Sequence, residues 1–510
     1  MDPRSVIPQC TRRNFLALAG GAVAAGAAAG QQAEAIKAWP PRKDEAEKPP
    51  NVLVLILDSL RADHLSVFDY PRSTSPFIDS LAREGFRFTR AISQSSYTRE
   101  SVSSIFTGLF PSESGSTGWE AKPNYATLAE QFKEAGYRTG LFTDTAMLMN
   151  ANFRRGFDRL NFESRGGMAS GMGPTLSRKA AAFANADPGK PFFAYVHYID
   201  PHGPYSPPRA MYMRMADKVE KQPLLLYKYV RPQLENLKQS GFGPGEHRFE
   251  DMVSRYDAEI AHVDYAIGVL FDLLDQAQQL DNTIVVVAAD HGEEFLDHGF
   301  VEHAWRLYNE STHVPLIFWA PGKIPAGSSE QRVALLNLFP TLLSMAGVEN
   351  SAVVSGQPLF EKKDGQFMPR AIGEPIVSEL MIQSRNLVRT IVSGDWKYTA
   401  AVQWYASEKL ATLSRDCGAR EKLFSQGKKQ PADIFGPTVY EELFYLPDDP
   451  NEQTNVADAE TSTRDTFREA LERYYAHCKS MAQEEPKEEA APETPMSEDD
   501  VSAMEALGYI

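Results

Sequence analysis

Three stretches of the chain are apolar at nearly every position, and each stops at an acid or an acid–histidine pair. They are NVLVLILD (Asn51–Asp58), PFFAYVHYID (Pro191–Asp200) and NTIVVVAADHG (Asn282–Gly292). A run without polar alternation is what a strand buried on both faces needs, as in the centre of a parallel sheet. Between these runs the period changes. TLAEQFKEAGY (Thr127–Tyr137) closes on a glycine stop, and YDAEIAHVDYAIGVLFDLLDQ (Tyr256–Gln276) spaces its apolar residues at i, i+3 and i+4, the marks of amphipathic helices. Strands alternating with helices predict an α/β fold: a large mixed, mostly parallel sheet sandwiched by helices.

The texture shifts near Glu374. EPIVSEL, NLVRTIVSGDWKYTAA and EELFYLPDDPNEQTNVA alternate over shorter spans, and TRDTFREALERYYAHC (Thr463–Cys478) is helical. This predicts a smaller C-terminal antiparallel sheet with a packing helix over residues 374–480, after a main domain over 51–373. No internal repeat interrupts either part. At the other end, TRRNFLALAGGAVAAGAAAG (Thr11–Gly30) sets paired arginines before Phe15-Leu16 and an Ala/Gly-rich stretch, with Ala33-Glu34-Ala35 as a small-x-small cleavage site. Residues 1–35 are therefore expected to be a twin-arginine export leader, which makes the protein periplasmic or secreted. The stretch is too weakly apolar to be read as a membrane span. Residues 36–50 read as a Pro- and charge-rich linker, and residues 481–510 as an acidic, solvated tail with an apolar end.

Composition narrows the function classes. The chain has 510 residues, 43% hydrophobic and 24% charged, with a formal net charge of -16. That balance fits a soluble globular protein and argues against a nucleic-acid or anionic-membrane surface, both of which need basic patches. Three cysteines make no disulfide framework. With Cys10 in the leader, Cys417 and Cys478 are left as one candidate pair.

Ligands of open α/β sheets bind beyond the carboxyl ends of the strands. Asp58, Asp200 with His202, and Asp290 with His291 all fall at such ends. Asp58, Asp290 and His291 form a mixed carboxylate–imidazole set that suits a divalent metal, Zn²⁺ or Mn²⁺ better than Ca²⁺. The plainer alternative is that both acids cap the helices after their strands. His202 lies in DPHGPYSPP, where prolines stiffen the backbone, and His303 follows in LDHGFVEHAWRLYNE, where it could protonate a leaving group. His197 and His262 sit inside apolar strand and helix patterns and read as structural. The hydroxyl-rich run SQSSYTRESVSSIFTG (Ser93–Gly108) is either a solvated loop or the source of a nucleophile.

Taken together, these fragments resemble the sulfatase family of the alkaline phosphatase superfamily. NVLVLILDSLRADHLSVFDY resembles the family's opening strand, and STSPFIDSLAREGFRFTRAIS is similar to its T-P-x-I-D-x-L-A-x-E-G-x-x-F signature. PFFAYVHYIDPHGPYSPP, ADHGEEFLDHG, HVPLIFWAPG, NLFPTLLSMAGV, GDWKY and the terminal EALGYI follow in the family's order. The resemblance implies a nucleophile nine residues before a Thr-Gly pair; Thr107-Gly108 places Thr98 there, followed by Arg99. Typical members carry a cysteine or serine that is converted to formylglycine. Threonine cannot supply that aldehyde, so formylglycine is not expected. The paired acids after the first strand are here Asp58-Ser59, and the G-K-W-H-x-G block is replaced by LFTDTAMLMNANFRRGFD (Leu141–Asp158).

The implied chemistry is hydrolysis of a sulfate- or phosphate-type ester by in-line attack from Thr98. One divalent metal on Asp58, Thr98, Asp290 and His291 would stabilise the threonine alkoxide. Arg99, His202 and His303 would bind the remaining ester oxygens. The expected partner is an anionic ester: a sulfated or phosphorylated small molecule, glycan or lipid headgroup. Two competing readings stay open, a phosphoryl-group transferase acting on an envelope acceptor and a non-catalytic binder of anionic ligands.

Overall fold

A computed structural model of the chain describes residues 48–116, 125–149, 151–163, 172–221, 234–373, 375–382, 386–402 and 438–483. The expected leader, Cys417 with its candidate pairing, and the acidic tail from residue 484 lie outside the described residues. The main domain contains β1 (Asn51–Leu57), β2 (Phe86–Ile92), β3 (Arg138–Thr143), β4 (Arg159–Phe162), β5 (Phe192–Tyr198), β6 (Thr283–Ala289), a short hairpin of β7 (Glu294–Phe295) and β8 (Val301–Glu302), β9 (His313–Trp319) and β10 (Gly327–Ala334). All but the hairpin strands form one eight-stranded sheet in the order β10-β2-β9-β6-β1-β5-β3-β4. Every pairing is parallel except those of β9, which runs antiparallel to both β6 and β2. The sheet is thus mixed and mostly parallel, as the strand grammar predicts.

The three apolar runs become β1, β5 and β6, adjacent at the centre and buried along their whole length. Burial on both faces needs cover on both sides, and β5 shows it. Phe193 stacks on Phe132 of the helix Leu128–Glu134 at 4.6 Å, whereas Tyr198, on the opposite face, meets Ser177 of the helix Gly173–Asn185 through a 2.8 Å hydroxyl contact. The 30-residue helix His247–Gln276 packs on Gly173–Asn185 and on Pro76–Glu84. The helix Leu338–Ala346 packs on Thr98–Thr107 and Leu128–Glu134. No helix among the described residues is long and apolar enough to cross a membrane.

After a second hairpin, β11 (Phe360–Lys363) with β12 (Gln366–Pro369), the chain builds a four-stranded antiparallel sheet. Its strands are β13 (Ile376–Ile382), β14 (Asn386–Ser393), β15 (Trp396–Val402) and β16 (Thr438–Tyr445), in that order. The helix Thr461–Gln483 covers it, burying Phe467, Leu471 and Tyr475 against Val377, Ile391, Tyr398 and Leu443. This sheet is joined to the main domain through the hydroxyl-rich run. Ser378 Oγ donates to the Ser93 carbonyl at 2.6 Å, and the Glu379 N–H donates to the Gln94 carbonyl at 2.8 Å. The Glu379 carboxylate in turn accepts from the Ser112 N–H and hydroxyl and pairs with the buried Arg389.

Candidate active site

Register places the first two acids. Leu57 of β1 pairs with Ala289 of β6 and with Tyr198 of β5, so the residues that follow, Asp58 and Asp290, leave adjacent parallel strands at the same height. Both carboxylates are fully buried. The Ser59 N–H donates to Asp290 Oδ1 at 3.2 Å and the Ser59 hydroxyl to Asp58 Oδ1 at 3.0 Å. Ser59 manages this from a left-handed backbone, φ 62°. Where the sequence resemblance implies a second acid, a serine therefore ties the two remaining acids together.

Thr98 opens the helix Thr98–Thr107, whose first helical bond runs from the Ser101 N–H to the Tyr97 carbonyl. The threonine hydroxyl thus sits in the positive end of the helix dipole. The serines around it are structural: Ser101 Oγ donates to the Asp290 carbonyl at 2.6 Å, Ser93 Oγ donates to the same oxygen, and Ser95 Oγ donates to Glu100 at 2.6 Å. The run is buried, with Thr98 at 0% exposure, which removes the solvated-loop reading.

His291 joins the two halves. Its Nδ1 donates to the Gly292 carbonyl at 2.9 Å, so Nε2 presents its lone pair to the centre. Nε2 lies 3.2 Å from Thr98 Oγ1, 3.6 Å from Asp290 Oδ2 and 3.7 Å from Asp58 Oδ1. Asp58, Asp290 and His291 each turn one ligand atom into a common space, all within 4.8 Å of one another. A tetrahedral site with bonds of about 2.0–2.2 Å has ligand-to-ligand edges of roughly 3.3–3.6 Å. The donor set fits a divalent cation on a second ground as well: Asp290 Oδ2 is buried with no hydrogen-bond partner among the described residues.

The electrostatics agree with that fit. Burial alone would raise Asp58, but His202, His197 and His291 together hold its carboxyl well below the ordinary carboxylate range. Burial, and then the neighbouring charge of Asp58, push Asp290 up. Burial acts to lower His291, yet the two carboxylates win and raise it. Two adjacent buried carboxylates, one of them held up by the charge of the other, make a centre that a cation would stabilise.

His197, which the sequence pattern reads as structural, lies directly against the two acids. Inside β5 it reads as apolar packing, yet its Nε2 donates to Asp58 Oδ2 at 3.2 Å and lies 4.0 Å from Asp290 Oδ2, with Tyr195 OH on its Nδ1 side at 3.5 Å. The signal was available: a buried imidazole in a strand covered on both faces needs a polar partner, and the nearest ones lie at the end of β1. His262 behaves differently. It pairs through Nδ1 with Asp200 Oδ2 at 2.9 Å, inside the long helix. Of the pair Asp200 and His202, only the histidine is brought to the other imidazoles.

His202 lies between two cis peptide bonds, Asp200–Pro201 and Gly203–Pro204. Its Nδ1 donates to the Gly203 carbonyl at 2.6 Å, and burial lowers its pKa against the pull of Asp58. Its ring centroid is 4.8 Å from that of His303, which is in turn 4.4 Å from His291. The three imidazoles therefore form one row beside Thr98. Arg99 is buried next to Thr98, and burial lowers its pKa. His298 points elsewhere: Nδ1 pairs with Glu310 at 2.6 Å, Nε2 bonds the Glu452 carbonyl at 3.0 Å, and the ring stacks on Tyr308.

The sulfatase family model matches residues 50–348. An arylsulfatase of Clostridium perfringens is 24% identical over 391 residues, covering 64% of this chain and 81% of the relative. Among solved structures, the phosphonate monoester hydrolase of Agrobacterium radiobacter superposes with a TM-score of 0.63 at 18% identity, covering 84% of this chain and 96% of that one. A protein solved with its substrate D-glucosamine-2-N,6-O-disulfate superposes with a TM-score of 0.64 at 18% identity, over 87% of this chain and 100% of that one.

Proposed function

We propose, from the premise that this chain belongs to the sulfatase family and is a sulfatase-like hydrolase, that it is an exported, metal-dependent enzyme cleaving sulfate- or phosphate-type esters with Thr98 as nucleophile. The observation that carries this reading is the 3.2 Å contact between Thr98 Oγ1 and His291 Nε2, beside the paired carboxylates of Asp58 and Asp290. A divalent cation held by Asp58, Asp290, His291 and Thr98 supplies Lewis-acid chemistry, lowering the cost of ionising a hydroxyl and of gathering negative charge. The chain's own residues do the rest. The helix N-terminus favours the oxyanion that develops around Thr98. Arg99 and His202 bind the non-bridging ester oxygens, and His303 meets the leaving oxygen. Attack forms an ester on Thr98, which water then cleaves.

Threonine has no formylglycine route for expelling sulfate, and this favours phosphoryl or phosphonyl esters. The arylsulfatase relative and the protein solved with a disulfated glucosamine favour sulfate esters of small molecules or glycans. A matched panel of aryl sulfates, phosphate mono- and diesters and phosphonates, run on metal-loaded protein, separates the two. Thr98→Ala is expected to lower turnover of the best substrate by about 10⁴-fold or more, with an unchanged melting temperature. Full activity in that variant removes Thr98 as nucleophile. Arg12 and Arg13 before the Ala/Gly-rich stretch support export by the twin-arginine route; replacing both with lysine is expected to leave the protein in the cytoplasm.

A further inference from the structure

We propose that Glu293 is a positioning residue that fixes His303 with its Nε2 toward the leaving oxygen of the ester. This rests on the ester-hydrolase reading above and adds to it the source of the leaving-group proton. Glu293 is fully buried, and its Oε1 accepts from His303 Nδ1 at 2.9 Å. Its other oxygen accepts the hydroxyl of Tyr205 at 2.8 Å. The backbone of Glu293 is anchored on both sides: its N–H donates to the Glu310 carbonyl at 3.0 Å, and its carbonyl accepts from Arg61 at 3.2 Å. The carboxylate is thus carried on an anchored backbone and has both oxygens engaged. With Nδ1 committed to Glu293, Nε2 is the nitrogen that serves the row formed with His291 and His202.

The backbone around His303 carries the second argument. Glu302 and Ala304, on either side of it, both hold left-handed conformations, φ 71° and 63°. A non-glycine residue in this conformation is strained and persists where the surroundings over-determine it. The Ala304 N–H donates to the Ser96 carbonyl at 3.1 Å, two residues before Thr98. Tyr205 belongs to the loop that carries His202. The Glu293 carboxylate thus ties His303 to the His202 loop, while the Ala304 N–H ties the same hairpin to the run that holds Thr98.

In the reaction, the bond from Thr98 Oγ to sulfur or phosphorus forms as the bond to the leaving oxygen breaks. The leaving oxygen takes the bonding electron pair and the Nε2 proton of His303. The Thr98 hydroxyl proton, released to solvent on attack, returns when water cleaves the Thr98 ester. That water gives its own proton back to Nε2. The net change is ester plus water to acid plus alcohol.

The test uses the full-length, metal-loaded protein and a series of aryl esters of graded leaving-group acidity. Glu293→Gln is expected to lower kcat by about 10²–10³-fold for the poorest leaving groups and by less than about tenfold for the best. KM is expected to hold and Glu293→Asp to recover part of the loss; a uniform fall across the series overturns the proposal. The second readout needs no turnover. In Glu293→Gln the side-chain oxygen still accepts from Tyr205, which turns the amide NH₂ toward Nδ1. ¹⁵N spectra are therefore expected to show His303 losing its Nδ1 proton, and retention of that proton overturns the proposal. If wild type cleaves none of the esters, the ester-hydrolase reading fails while the spectra still decide the role of Glu293. Should Glu293→Gln not fold, Tyr205→Phe is expected to show the same leaving-group selectivity at about three- to tenfold, and a flat series again overturns it.

Discussion

The end of the central sheet and the hairpin around His303 reach the same centre by opposite means. At the sheet, parallel register does the placing: β1 and β6 end side by side, and Asp58 and Asp290 leave them at one height. In the hairpin no ladder extends far enough. β7 and β8 are two residues each, and Leu296, Glu302 and Ala304 all take left-handed backbone. Polar contacts to Glu293, Glu310 and Glu452 hold what strand pairing does not. The carboxylates of the candidate cation site are thus set by a rigid scaffold, and the imidazoles of the hairpin by a network of side chains.

The comparison breaks most easily at the sheet. Asp290→Asn replaces the unpartnered Oδ2 with an amide nitrogen that is a poor ligand. Activity is expected to fall by about 10³-fold or more. Added Zn²⁺ or Mn²⁺ is expected to raise the melting temperature of wild type and not of the variant, while the metal-free variant melts no lower than metal-free wild type because a buried like-charge pair is gone. Metal analysis with thermal melts reads both.

A smaller effect sharpens the hairpin side. Burial lowers His298, but its pairing with Glu310 outweighs that and raises it above 6.5. A histidine raised in the folded state contributes stability that is fully present below its unfolded value and is lost as pH rises through the folded one. Hydrogen exchange of residues 296–303 is therefore expected to speed up as pH climbs above about 6.5, after correction for intrinsic rates, with the ends of β1 and β6 unaffected. His298→Gln is expected to abolish the difference.

The smallest expected change lies at the seam with the C-terminal sheet. Ser378→Ala deletes the 2.6 Å bond to the Ser93 carbonyl, at a cost of about 1 kcal/mol in denaturant unfolding. Turnover is expected to stay within about threefold, because Ser93 remains held through its N–H by the Thr312 carbonyl and through its hydroxyl by that of Asp290.

How much of this was legible follows the same division. Continuous apolar runs specify doubly covered strands, and the acids that end them specify the functional edge. Within the hydroxyl-rich run, Thr98 stands out as the nucleophile candidate only through the family resemblance, by its distance from Thr107-Gly108. The antiparallel course of β9 was not legible, since strand direction depends on where the preceding hairpin returns the chain. His197 was hidden because its partner, Asp58, is 139 residues away on the neighbouring strand. Glu293 carries no local sign of its contacts either: adjacent Glu294 has the same chemistry and is equally buried, yet its carboxylate finds no hydrogen-bond partner among the described residues while Glu293 bonds His303 and Tyr205.

By itself the sequence determined the fold class, the strands that form its centre and the residue types available at their ends, because burial and periodicity are local properties of the chain. Tertiary structure alone decided which oxygen and nitrogen atoms face one another. Register, left-handed turns and the docking of the C-terminal sheet set distances between residues far apart in the chain, and a centre of 3.2–3.7 Å contacts exists only when those distances are fixed together.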